Sequence, residues 1–68
     1  MNANQAAIVA EIEYRAAFAA WREGKAAFDA AYTAAGAAKN EVYAAGIGIV
    51  EKLSARLART ERTRAVAA

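Results

Sequence analysis

Ala34-Ala35-Gly36-Ala37-Ala38-Lys39-Asn40-Glu41-Val42 is the stretch on which the fold depends. It lies between two long helix-forming runs in a chain of 68 residues without proline. Glycine just past a helix end adopts the positive φ that other residues avoid, so Gly36 reads as a C-cap. Asn40 reads as the N-cap of a second helix, with Glu41 in its first turn against the positive end of the helix dipole. A turn here divides the chain into segments of about 3–35 and 41–64, long enough to fold back on each other as an antiparallel hairpin. The chain then forms one small helical domain, 1–68, with 65–68 as a frayed tail. Trp21-Arg22-Glu23-Gly24 is a weaker turn candidate.

One pattern argues for a different architecture. A 4-3 spacing runs without interruption through positions 14, 18, 21, 25, 28, 32, 35, 39, 42, 46, 49 and 53. A single continuous coiled-coil helix would keep that register. Against it stand Lys25, Lys39 and Gly46 in the seam, and cap chemistry at both ends of the Gly36–Asn40 linker. The fold class is all-α in either case, with the hairpin preferred.

The first segment opens with Asn2 as N-cap and Gln5 three residues later, a capping-box pair. At 100° per residue, Tyr14, Phe18, Trp21, Phe28 and Tyr32 fall within a sector about 80° wide. Five of the six aromatic residues therefore line one stripe. Beside it runs a polar strip of Glu11, Arg15, Arg22 and Asp29, in which Glu11 and Arg15 have the favourable i,i+4 order. Ile8 and Ile12 lie nearly opposite, among alanines, and call for a second neighbour. The second segment carries its own stripe of Val42, Gly46, Ile49, Val50, Leu53 and Leu57.

Composition makes the core thin. Alanine accounts for 23 residues, and only 17 of the hydrophobic residues are larger than alanine. Alanine is the strongest helix former but fills little volume. Leu, Ile, Val and Phe number 12, a disorder-like level, yet the net charge of +2 lacks the other half of the disorder signature. A chain this short buries a small share of its surface, and no cysteine is present to staple it. Self-association into a helical bundle is the expectation.

The residue inventory also limits the chemistry. With no histidine and no cysteine, serine and cysteine triads and ordinary zinc sites are excluded. Glu11 and Glu13 are two apart and point to different faces of a helix. Gly46-Ile47-Gly48 sits inside an amphipathic pattern, without the strand and helix start of a phosphate loop, so Gly46 reads as a packing position. No cofactor or metal is expected, and the chain reads as non-catalytic.

Charge is uneven. Residues 1–51 carry four basic and six acidic groups, whereas 52–68 carry five basic and one acidic. The basic patch consists of Lys52, Arg56, Arg59, Arg62 and Arg64. It suits a phosphate backbone or an acidic protein surface; without interleaved aromatics the protein surface is the preferred reading. The interface residues are Tyr14, Phe18, Trp21, Phe28, Tyr32, Val42, Ile49, Val50, Leu53 and Leu57. No run reaches the roughly 20 apolar residues of a membrane span, and the N-terminus lacks a basic start and apolar run, so a cytoplasmic location is expected. The resulting expectation is a homo-oligomeric protein-interaction module: an assembly subunit, an adaptor, or an inhibitor of the kind phages direct at host proteins. The alternative is a helical coat or packaging subunit that meets nucleic acid through its arginine-rich end.

Overall fold

The computed structural model describes residues 2–36 and 39–67, and they form a two-helix hairpin. Helix α1 spans Ala3–Ala35 and helix α2 spans Lys39–Ala67. The molecule measures 53 × 14 × 13 Å, close to the roughly 50 Å expected of one 33-residue helix at 1.5 Å per residue. A continuous helix of the whole chain would be nearly twice as long, so the hairpin is the fold. The two apolar stripes share one phase without sharing one helix.

Both ends of α1 follow from local chemistry. Gln5 donates its backbone N–H to the Asn2 side chain at 2.8 Å, and Gln5 Oε1 accepts from the Asn2 N–H at 3.0 Å. This reciprocal pair satisfies two of the donors that a helix start leaves open. At the other end Gly36 has φ 58° and ψ −111°. This conformation lies outside the left-handed helical region expected of a C-cap. It is the mirror image of extended backbone, a region that only glycine enters without strain. Helix α1 therefore stops at Gly36 for a steric reason.

The start of α2 differs from the expected one. The helix already includes Lys39 and Asn40, so Asn40 sits in the first turn and is not the N-cap. Residues 37 and 38, the middle of the expected linker, lie outside the described residues. Glu41 is in the first turn as anticipated, and Arg64 is in the last. The helix continues through Ala65–Ala67, where a frayed tail was expected; Ala68 lies outside the described residues.

The seam between the helices is thin. Ala10 and Ala17 are its buried apolar residues, and no large side chain among the described residues is fully enclosed. Gly46 is buried as well. A Cβ placed on Gly46 would overlap the Phe28 ring, and one on Gly24 would overlap the end of the Leu53 side chain. The helices pack closely because large residues of one meet glycines of the other. Gly48 has open space around its Cα and contributes no such contact.

Candidate interaction surfaces

The seam divides the hairpin into two long faces of different character. On one, aromatic rings form a nearly continuous row. Tyr14 and Phe18 stack with centroids 6.1 Å apart, and Phe18 meets Trp21 at 5.9 Å. Nearer the turn, Phe28 and Tyr32 lie 5.9 Å apart, and Tyr43 of α2 meets both edge-on at 6.1 and 6.0 Å. Such offset and edge contacts match the quadrupoles of the rings. The five aromatics of the α1 stripe are thus brought together as expected. Four are half-buried and Phe18 is 37% exposed.

Polar groups tie this face across the helices. The Trp21 indole N–H donates to Ser54 Oγ at 3.1 Å. Glu11 pairs with Arg15 at 3.1 Å on its own helix and with Arg64 on α2. Arg64 also places its guanidinium 4.3 Å from the Tyr14 ring centroid. Arg22 lies 5.8 Å from the Phe18 centroid, and the Lys25 ammonium 5.3 Å from that of Trp21. Cations over ring faces are attracted by the ring's negative face.

One expected placement changes here, and the unbroken 4-3 register does not survive. Arg64 leaves the basic patch, because its position on α2 shares the phase of Leu57 and turns it toward Glu11 and Tyr14. Lys25 leaves the seam, where Gly24 stands against Leu53. The inward register of α1 is set by Ala10, Ala17 and Gly24, seven residues apart, and Lys25 lies one residue, about 100°, beyond it. The side chain of Lys39 is outside the described residues.

The remaining stripe of α2 is only partly inward. Val42, Val50, Leu53 and Leu57 are half-buried, whereas Ile49 is 56% exposed. Ile49 sits on the second long face, which is built from small side chains. There Gly24, Ala27, Phe28, Ala31, Val42, Ala45, Gly46 and Ile49 line an open apolar groove of about 300 Å³. Farther along, Glu13 and Ala16 of α1 border a hollow shared with Arg56, Arg59 and Thr60 of α2. Val9 and Val66 lie toward the open end. Lys52, Arg56, Arg59 and Arg62 are all exposed. Ile8 and Ile12 are exposed at 60% and 63%, so the second neighbour they call for is not supplied by α2.

Comparison with known proteins finds no matching family model, no matching curated protein and no matching solved structure.

Three participants escaped the sequence reading. Tyr43 and Ser54 meet partners on the other helix, so no periodicity within α2 marks them. Gly24 carried a usable signal, since 21, 24 and 28 are spaced three and four apart like the aromatics beside it. Among the described residues no three of His, Cys, Asp or Glu are gathered as a metal ion would need. No helix of the described residues is long and apolar enough to cross a membrane.

Proposed function

We propose that this hairpin is a non-catalytic docking protein: an assembly subunit, an adaptor or an inhibitor that acts on another protein through its helical faces. The observation that carries this reading is the imbalance between what the chain buries and what it displays. It encloses Ala10 and Ala17 while leaving Ile8, Val9, Ile12 and Ile49 at least 40% exposed beside an exposed basic strip. Apolar side chains next to charge on a stiff scaffold suit recognition of a protein, where apolar contact supplies affinity and charge supplies orientation and on-rate. The strip is short: Lys52 to Arg62 covers about 15 Å of helix at 1.5 Å per residue. Without Arg64 it offers four cations, a weak grip on a nucleic-acid backbone at physiological salt.

The test replaces Arg56, Arg59 and Arg62 together by alanine. These side chains are exposed, so far-ultraviolet circular dichroism should be unchanged. Tagged protein used as bait, with and without nuclease, should retain its protein partner in the nuclease-treated sample. The triple variant should associate about tenfold more slowly, because rim charges act mainly on the encounter rate. Submicromolar binding of the wild type to DNA or RNA at about 150 mM salt, lost in the triple variant, would overturn this reading in favour of a nucleic-acid subunit.

A further inference from the structure

The basic strip faces a chemistry that the same chain supplies. On the small-residue face α1 displays Glu13, with Glu23 at its outer edge in a hollow shared with Arg22, whereas α2 displays Lys52, Arg56 and Arg59; all five are exposed. At 100° per residue Arg15, Arg22 and Lys25 of α1 point away from this face, so it is acidic on α1; on α2 it is basic from Lys52 to Arg59, while Glu41, five full turns before Arg59 and in the same phase, stands near the turn. Glu13 borders the same hollow as Arg56 and Arg59, which places these three charges on one side of the hairpin.

The size of the uncovered surface is informative. The chain exposes 4968 Å², whereas a compact monomer of 7.1 kDa would expose about 4,100 Å². The excess, about 900 Å², is close to one partner's share of a standard protein interface, about 800 Å². The radius of gyration of 15.5 Å likewise exceeds the roughly 11 Å of a compact chain of this length. Half of a bundle has these proportions.

We infer that the small-residue face is closed by a second copy of this chain, with the two turns at the same end, so that acidic α1 of each copy lies on basic α2 of the other. The inference rests on the docking reading above and names the acidic protein surface that the basic strip meets. A two-fold axis parallel to the helices produces this arrangement. It sets Glu23 level with Lys52 of the other copy and Glu13 level with Arg59 and Arg62, and it lays Ala27 and Ala31 along Ala45 and Ile49. The other face-to-face two-fold, with turns at opposite ends, would stack α2 on α2 and oppose like charges. Alanine and glycine along the groove let the helices approach closely enough for the apolar contact to be dry.

Charge reversal with mixing tests this. One variant carries Glu13→Lys and Glu23→Lys; the other carries Lys52→Glu and Arg59→Glu. Sedimentation of the wild type at tens of micromolar should show a dimer. Each variant alone should dimerise at least about 100-fold more weakly, since like charges then meet at every α1–α2 contact between copies. An equimolar mixture restores opposite charges at both contacts and should recover dimer to within about tenfold of the wild type. An effect confined to one chain's own fold cannot be rescued by mixing. A variant that loses helix alone and regains it in the mixture supports the inference equally. A wild type that sediments as a folded monomer, or a mixture no better than its components, would overturn it. In that case retention of a foreign partner by the wild type, slowed in the triple arginine variant, would leave the docking reading standing alone.

Discussion

The two long faces of the hairpin are built from the same pair of helices and end in opposite states. The aromatic face is tied together within one chain, although Phe18 and Tyr43 keep 37% and 52% of their surface in solvent. Its rings touch, its indole N–H has an acceptor, and Glu11 and Arg64 bridge the helices. The small-residue face has Cβ atoms where the other has rings, and a groove runs where the other has a row of contacts. Helix propensity does not distinguish them, since alanine favours the helix at least as well as the aromatics do. Side-chain volume does. A sequence can thus specify two straight helices throughout while fixing their packing along only one side.

The two faces meet at Phe28, which is part of the ring cluster and also lines the groove. Phe28→Ala should lower stability by about 2–3 kcal/mol, somewhat less than a fully buried phenylalanine because this ring is half-buried. Urea unfolding followed by circular dichroism at fixed protein concentration measures it, and a loss under about 1 kcal/mol would show that the Phe28 ring carries little weight.

The paired glycines of α2 give a smaller effect of two signs. Gly46→Ala should destabilise by about 1–2 kcal/mol, because the methyl must displace the Phe28 ring and this outweighs the gain in helix propensity. Gly48→Ala meets nothing and should stabilise by up to about 1 kcal/mol. Thermal melts of the two variants should move in opposite directions, and equal shifts would contradict the close approach at Gly46.

The smallest effect concerns the polar ties of the aromatic face. Glu11→Gln removes the negative charge between Arg15 and Arg64 and should cost under about 1 kcal/mol, since all three side chains are partly or largely solvent-exposed. The cost should shrink toward zero at 1 M salt, where the Debye length is about 3 Å. A penalty unaffected by salt would point to packing of Glu11 and away from its charge.

Much of the fold is legible in the sequence because it is local. The capping box lies within four consecutive residues, and the end of α1 is announced by a single glycine. The aromatic stripe follows from spacing alone. Asn40 shows the limit of such signals: its residue type suits a cap, but a cap must stand outside helical geometry, and the helix is already turning at Lys39. Arg64 shows another. Grouping it with the neighbouring arginines follows the chain, whereas its phase, seven residues after Leu57, follows the seam. The contacts of Tyr43 and Ser54 depend on how the second helix is rotated and shifted against the first, and no single-helix pattern records that.

The turn at Gly36 also orders the hairpin in time. Tyr32 and Tyr43 enclose a loop of 11 residues, Trp21 and Ser54 one of 33, and Glu11 and Arg64 one of 53. Loop-closure entropy makes the last of these about 1.4 kcal/mol harder to form than the first if each closes independently. Once the tyrosines have met, every later contact needs only a short further closure, so assembly proceeds like a zip from the glycine outward. Opening runs in reverse. The Glu11–Arg64 bridge is the last fastening to close and the first to release, and the amides of residues 3–10 and 60–67 are the ones that such breathing exposes to solvent.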